Sequence, residues 1–126
     1  MRFTLSLFIV SLLLIGCNHR DAELRQKITG TWIPSSNGTI YAAVTVSSDG
    51  SFVSKFSVIR TNIPSELIYQ GTWQVKDGVL ITTITNVDGL EPHDPVGKIR
   101  NIKIIHMDEH EMTYLIDGQT ITARRK

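Results

Sequence analysis

The chain has 126 residues, of which 41% are hydrophobic, and a formal net charge of +1. This length suits one domain with its own core and leaves no room for a second. The nearly balanced charge argues against nucleic acid as a partner, because nucleic-acid-binding domains concentrate Lys and Arg on one face. With only one cysteine, the chain forms no internal disulfide, so its stability must come from the hydrophobic core.

The first 16 residues have the pattern of a secretory signal. Arg2 precedes an apolar run from Phe3 to Ile15, which fits the hydrophobic region of a signal peptide and is shorter than the roughly 20 residues that a membrane-spanning helix needs. We therefore predict that residues 1–16 are removed. Their loss takes away one basic residue and no acidic one, so the mature chain is formally neutral.

The apolar run ends in Leu14-Ile15-Gly16-Cys17, which resembles the lipobox of bacterial lipoproteins. Gly16 suits a narrow peptidase site beside the cut, and only a thiolate such as that of Cys17 supplies the nucleophile that takes up a diacylglyceryl group. The resemblance implies that Cys17 becomes the lipid-bearing first residue of the mature protein. Residues 17–20 then form a lipidated tether.

Acyl chains on Cys17, palmitate among them, are enough for stable membrane anchoring, because each buried methylene contributes about 0.8 kcal/mol. We therefore expect a membrane-bound protein of the cell envelope, outside the cytoplasm. Where the source has two membranes, the outer membrane is expected, because Asn18 is not the aspartate that is associated with retention in the inner one.

Residues 21–126 are predicted to form one β domain that begins with a short helix. Asp21 can cap a helix over residues 22–28, in which Leu24 and Ile28 lie about one turn apart. Beyond that helix, apolar and polar residues alternate, which is typical of β-strands. The eight predicted strands cover approximately residues 30–34, 39–47, 51–60, 66–76, 79–86, 98–107, 111–116 and 119–125.

Short turns connect most of these strands, which predicts that consecutive strands are antiparallel neighbours. Three connections carry Asp-Gly, in which both residues can adopt the positive φ of a type I′ hairpin turn, at Asp49-Gly50, Asp77-Gly78 and Asp117-Gly118. Residues 108–110 form another tight connection. Residues 61–65 and 86–97 are predicted to be longer loops, and Pro92 and Pro95 exclude the second of them from a strand interior.

Alternation assigns one face of each strand to the core. The core candidates are Ile40, Ala42, Val44, Val46, Phe52, Phe56, Val58, Leu67, Tyr69, Trp73, Val75, Met112, Tyr114 and Ile116. In the strand at residues 98–107 the pattern leaves two registers open. Ile99 and Ile105 point one way, whereas Ile102 and Ile104 point the other.

The order of the elements resembles that of the lipocalins and the wider calycin group: a short helix, then Gly30-Thr31-Trp32, then a meander of hairpins that ends near Arg124. In that family a Gly-x-Trp on the first strand closes the barrel floor, and a late arginine packs over the indole. The resemblance assigns these roles to Gly30, Trp32 and Arg124, with Arg125 as the alternative. It implies an all-β fold, either an eight-stranded antiparallel up-and-down barrel or a strongly curved sheet.

The sequence predicts neither an enzyme nor a bound metal or cofactor. The polar cluster at residues 106–111 places His106 and His110 across a turn, but its spacing matches no metal-ligand motif. Glu91, His93 and Asp94 lie in the long loop, where functional residues are often found. They are not accompanied by a nucleophile, a base and an orienting acid in an interpretable order.

Two functional hypotheses remain open, because an eight-stranded barrel is either filled by side chains or holds one small ligand. In the first, a membrane-tethered protein binds a small apolar or amphipathic ligand. Its predicted ligand-facing residues are the aromatic side chains Tyr41, Phe52, Phe56, Tyr69, Trp73 and Tyr114. In the second, a filled barrel serves as an interaction or structural module of the envelope, and it contacts a protein partner through the loops at residues 61–65 and 86–97.

Overall fold

A computed structural model describes residues 20–35, 40–60, 63–89 and 93–126. These residues form one short helix and an antiparallel sheet of eight strands that closes into a barrel. The predicted all-β fold is therefore confirmed in its up-and-down barrel form, which is consistent with a lipocalin-like fold. The predicted signal at residues 1–16, the lipidation site Cys17 and the tether up to residue 19 lie outside the described residues.

Helix α1 covers residues 20–28, and in the described ranges no helix has the length and apolar character needed to cross a membrane. The strands are β1 (Gly30–Pro34), β2 (Ile40–Val46), β3 (Ser51–Arg60), β4 (Ile63–Lys76), β5 (Val79–Asp88), β6 (Ile99–Met107), β7 (Glu111–Ile116) and β8 (Gln119–Arg125). Each strand pairs with the next one along the chain. The barrel closes where β1 pairs with β8, with Trp32 opposite Arg125.

Two strands are longer than predicted and shorten the predicted loops. β4 begins at Ile63, and its Pro64 lies opposite Ile59 of β3. The prediction of a loop through residue 65 is therefore wrong, because a proline near the start of a strand is compatible with pairing. β5 likewise continues to Asp88, inside the predicted loop at residues 86–97.

Two of the three Asp-Gly turns have the predicted conformation. Asp77 and Asp117 have φ angles of 52° and 49°, and the glycines that follow them also have positive φ, as type I′ turns require. The third connection differs, because Asp49 is not in this conformation. Its carboxylate instead accepts hydrogen bonds from the hydroxyl and the backbone N–H of Ser51, at 2.6 and 2.9 Å. These bonds hold the pKa of Asp49 below its usual value.

The structure decides the register that the sequence pattern of β6 left open, and it adds a β-bulge at Ile105. Between the paired residues Ile104 and His106, Ile105 has no partner of its own and is 55% exposed. Ile102 and Ile104 pack against the core, whereas Ile99 is exposed. The extra residue reverses the alternation in the last part of the strand, so no single period describes all of β6.

Helix α1 covers the end of the barrel at which β1 begins. Ile28 is fully buried and Trp32 is 1% exposed, and both belong to the larger core cluster, against which Leu24 also packs. The Trp32 indole N–H donates a hydrogen bond of 2.8 Å to the carbonyl oxygen of Ile28. The predicted apolar face of the helix therefore attaches it to the barrel floor.

Asp21 stabilises the helix differently from the predicted cap. The helix already includes Arg20, two residues before the first residue that was predicted to be helical, so Asp21 lies within the helix. Its carboxylate accepts hydrogen bonds of 3.1 Å from the backbone N–H groups of Asp77 and Gly78. The tight β4–β5 turn leaves these two donors unpaired with the backbone, and Asp21 therefore joins the helix to that turn.

The cation over Trp32 is Arg125, the alternative that the sequence left open. Its guanidinium carbon lies 4.2 Å from the centroid of the indole ring, whereas Arg124 is exposed. A Cβ atom on Gly30 would lie 2.6 Å from this guanidinium, so the glycine leaves room for the stack. The guanidinium also donates hydrogen bonds to three backbone carbonyl oxygens, those of Lys27 at 2.5 Å, Thr29 at 2.7 Å and Glu109 at 3.0 Å.

Replacing Arg125 by alanine is expected to lower the free energy of unfolding by about 2–4 kcal/mol, because the cation–π contact and several charge-assisted hydrogen bonds are lost together. Arg124→Ala is the matched control, with an expected change below about 0.5 kcal/mol. Urea unfolding followed by circular dichroism measures both. Equal effects of the two substitutions would contradict the role assigned to Arg125.

Candidate functional site

The barrel encloses a cavity of about 530 Å³, a volume in the range of about 300–1,000 Å³ that is typical of small-molecule sites. Its floor is formed by Ile28 and Trp32, and at the other end it reaches Ser35 and Asp117. All eight strands contribute inward side chains to its wall, and most of these are apolar. Side chains therefore leave much of the interior unfilled.

Most of the predicted ligand-facing residues meet at this cavity. Five of the six line it, namely Phe52, Phe56, Tyr69, Trp73 and Tyr114. They come from three different strands, and the inward alternation of each strand brings them to one space. Tyr41 belongs to β2, but its side chain lies outside the described residues, so its role stays a prediction.

One ring contact and one hydrogen bond hold three aromatic side chains of the cavity wall in place. The rings of Phe56 and Tyr69 meet edge to face, with centroids 5.8 Å apart and an interplanar angle of 83°. This is a favoured geometry for aromatic pairs. Trp73 donates its indole N–H to the carbonyl oxygen of Ser47 at 2.9 Å. That bond satisfies the polar end of the indole, so its apolar surface is presented to the cavity.

Tyr114 adds a half-buried phenol to the wall of the cavity. Burial among apolar neighbours raises the pKa of Tyr114 above its usual value, because the phenolate form loses its hydration. At neutral pH the group is therefore a hydrogen-bond donor and acceptor without charge.

One ion pair between described residues lies in this mostly apolar cavity. Arg100 of β6 donates from Nη2 to the Oδ2 atom of Asp94, and both residues line the cavity. The backbone N–H of Asp94 donates to the hydroxyl of Tyr69 at 2.9 Å. The two charged side chains are about one-third exposed, so they remain accessible from the interior or from solvent.

The position of Asp94 is set by the connection between β5 and β6. The N–H of Gly97 donates to the carbonyl oxygen of Ile84 at 2.7 Å, and the N–H of Ile84 donates to that of Lys98 at 3.0 Å. This connection therefore lies against β5 and carries Asp94 to the cavity. The prediction that Asp94 and His93 lie in a loop is confirmed, whereas Glu91 lies outside the described residues.

Sequence reasoning missed Arg100, although the pattern held a signal for it. Arg100 is two residues before Ile102 and therefore shares its face in a regular strand. The structure directs that face inward, with Arg100 opposite Thr82 of β5. The register was undecided because isoleucines lie on both faces of β6, and with it the direction of the arginine was undecided too.

The polar cluster at residues 106–111 forms a turn. The carboxylate of Asp108 accepts hydrogen bonds of 2.8 Å from the backbone N–H groups of Glu111 and His110, and these bonds lower its pKa. His106 lies 3.5 Å from the same carboxylate. In the part of the chain that the structure describes, no three His, Cys, Asp or Glu side chains are arranged to hold a metal ion.

No protein-family model and no curated protein sequence matches the chain. The candidate site is therefore defined by its own geometry, a cavity inside the barrel with aromatic walls and one ion pair.

Proposed function

We propose that the chain is a lipocalin-like envelope lipoprotein that binds a small apolar or amphipathic molecule inside its barrel. The observation that carries this proposal is the cavity of about 530 Å³ with its mostly apolar wall. Burying an apolar molecule there is favourable by roughly 25 cal/mol for each Å² removed from water. Such a protein holds its ligand close to the membrane to which Cys17 anchors it.

The ligand-binding half of the proposal is tested by filling the cavity. Ala42 lines it, whereas the neighbouring Ala43 has the opposite orientation in β2. We expect Ala42→Phe to abolish or strongly reduce the fluorescence that the full-length protein induces in an anilinonaphthalene sulfonate dye. Ala43→Phe is the matched control and should retain it. The same preparations, extracted with organic solvent, report by mass spectrometry which small molecules co-purify.

Two results would refute ligand binding in the barrel. One is a full-length protein that neither binds the dye nor carries any co-purified molecule. The other is dye binding that the Ala42 and Ala43 variants retain equally, because the dye would then lie outside the cavity.

The anchoring half of the proposal rests on Cys17 and is tested separately. Cys17→Ser removes the thiolate that accepts the diacylglyceryl group, so the protein is expected to lose its lipid and to leave the membrane fraction. Dye binding by the released protein should persist, because the barrel begins only after residue 29. A Cys17→Ser protein that stays lipidated would refute the lipoprotein assignment.

A second candidate function, contact with an envelope protein, is favoured by one observation. Val96 and Ile99 are 62% and 59% exposed, and they lie three residues apart in the chain, where the connection between β5 and β6 ends and β6 begins. Exposed apolar residues that cluster are typical of interaction surfaces. If they hold a partner, Val96→Ser combined with Ile99→Ser abolishes its crosslinking in intact cells, whereas Ile105→Ser, an equally exposed isoleucine of the same strand, does not.

A further inference from the structure

The guanidinium of Arg100 uses only part of its hydrogen-bonding capacity. Nε and Nη2 form one edge of the group, a fork that matches the two oxygens of a carboxylate. Asp94 accepts from Nη2 through Oδ2, whereas the buried Nε has no hydrogen-bond partner among the described residues. A buried donor without an acceptor is unfavourable. Among the described residues, this edge of the guanidinium is therefore only half paired.

We propose that Arg100 binds the carboxylate head of an apolar ligand and that Asp94 occupies this position when the ligand is absent. This inference rests on the proposed function and names the class of ligand: a molecule with one terminal carboxylate and an apolar tail, such as a fatty acid. The ligand carboxylate accepts hydrogen bonds from both Nε and Nη2 of Arg100, and the Asp94 side chain turns away toward solvent.

The charge balance favours an exchange of this kind. A second negative charge beside an intact Arg100–Asp94 pair would be unpaired in an apolar cavity, which is costly. When one carboxylate replaces another, the guanidinium stays paired and the net charge around it is unchanged. A carboxylate that reaches both fork atoms also gains the hydrogen bond that Nε lacks at present.

The surroundings of Asp94 allow its side chain to move without unfolding the connection. Its backbone is held independently of the carboxylate, by the bond to the Tyr69 hydroxyl and by the two bonds that join Gly97 and Lys98 to Ile84. The side chain is about one-third exposed. A change of rotamer is therefore sufficient to release Arg100.

The wall of the cavity provides a path for the tail. Ile102 follows Arg100 on the inward face of β6, one step closer to the floor, and Leu80 lies opposite Ile102 on β5. Trp32 completes that floor. A tail that extends from the head at Arg100 toward the floor remains among apolar side chains along its length.

The experiment compares a fatty acid that carries bromine at its methyl end with the methyl ester of the same acid. Bromine quenches tryptophan fluorescence at short range, and both tryptophans of the chain, Trp32 and Trp73, line the cavity. The full-length protein is held in an amphipathic polymer without aromatic groups. The variants are Arg100→Gln, Asp94→Asn and, as a matched control, Lys103→Gln, which removes the same charge from an exposed position of the same strand.

We expect the unmodified protein to bind the acid more tightly than the ester. Arg100→Gln should weaken binding of the acid by about tenfold to a hundredfold, the equivalent of one or two charge-assisted hydrogen bonds, and should remove the preference of the protein for the acid over the ester. Lys103→Gln should change neither. Asp94→Asn should bind the acid more tightly than the unmodified protein, because a neutral amide competes less well for the guanidinium.

Each contrary result has a distinct meaning. Equal binding of acid and ester by the unmodified protein, or unchanged binding of the acid by Arg100→Gln, overturns the carboxylate proposal and leaves ligand binding in place. Absence of quenching by both probes in the unmodified protein overturns ligand binding itself. If Arg100→Gln does not fold, the acid-to-ester ratio of the unmodified protein and of Asp94→Asn still decides the question.

Discussion

Replacing Trp32 by alanine is expected to lower the free energy of unfolding by about 3–5 kcal/mol, the usual range for removing a large aromatic side chain from a core. The indole is 1% exposed, donates a hydrogen bond to Ile28 and lies under the Arg125 guanidinium. Its loss therefore removes core packing, the attachment of helix α1 and a cation–π contact at once. Urea unfolding of the full-length protein, followed by circular dichroism, measures the change.

Ile33→Ala is the control for this substitution. Ile33 follows Trp32 in β1 but is 43% exposed, so its truncation should cost less than about 1 kcal/mol. If Trp32→Ala were no more destabilising than Ile33→Ala, the floor of the barrel would not depend on the indole. Trp32→Phe should lower the free energy of unfolding by an intermediate amount, because phenylalanine keeps an aromatic ring but cannot donate the hydrogen bond to Ile28.

Replacing Gly71 by alanine is expected to destabilise the barrel by about 3 kcal/mol or more, at the upper end of overpacking effects. A Cβ atom at this position would overlap the carbonyl oxygen of Thr83 and lie 2.6 Å from the Phe52 ring. Gly71 also lies at the bulge where the register of β4 against β5 shifts. Neither the neighbouring backbone nor the packed ring can yield without disturbing that pairing.

Gly78→Ala in the β4–β5 turn is the comparison for Gly71→Ala. Gly78 has a positive φ of 76°, yet a Cβ atom there would meet nothing within 4 Å. Gly78→Ala is expected to lower the free energy of unfolding by about 1–2 kcal/mol, because alanine adopts the left-handed backbone conformation less readily than glycine. Thermal unfolding measures the stability of both variants. Gly71→Ala reports the steric overlap, whereas Gly78→Ala reports the backbone conformation. Equal losses would show that the close approach to Thr83 and Phe52 is easily relieved.

The tryptophans after Gly30 and Gly71 share a short sequence, Gly-Thr-Trp, but they have different roles. Trp32 is sealed into the floor, whereas Trp73 is half-buried and lines the cavity. In both places the glycine leaves room for a neighbouring side chain, the Arg125 guanidinium at Gly30 and the Phe52 ring at Gly71. This agrees with glycine relieving crowding beside a large indole in a curved sheet.

The two functional hypotheses differ in whether side chains fill the barrel interior or leave a cavity for a ligand. A barrel of eight strands has an interior that larger side chains would fill. Here Ala42, Ser54 and Ala123 point inward, and these small residues leave the space that the proposed ligand occupies. Substitutions that enlarge them therefore test the function more directly than substitutions in the loops.

Much of the architecture was predictable from the sequence because it depends on local properties. The alternation of apolar residues located the eight strands, and the tendency of Asp-Gly pairs toward positive φ predicted the turns at Asp77 and Asp117. The inward positions of five aromatic residues followed from the same alternation. Each of these properties is contained in a few consecutive residues, so a single sequence is enough to reveal it.

Contacts between residues distant in the chain were decided only by the tertiary structure. The selection of Arg125 over Arg124 depends on how β8 meets β1, and the binding of Asp21 to the β4–β5 turn depends on where the helix rests. The bulge at Ile105 is seen only in the pairing of β6 with β7, and the ion pair joins Arg100 of β6 to Asp94 in the connection before that strand. The packing of strands and connections fixes registers and brings together groups that no local pattern relates, and the proposed carboxylate site depends on that packing.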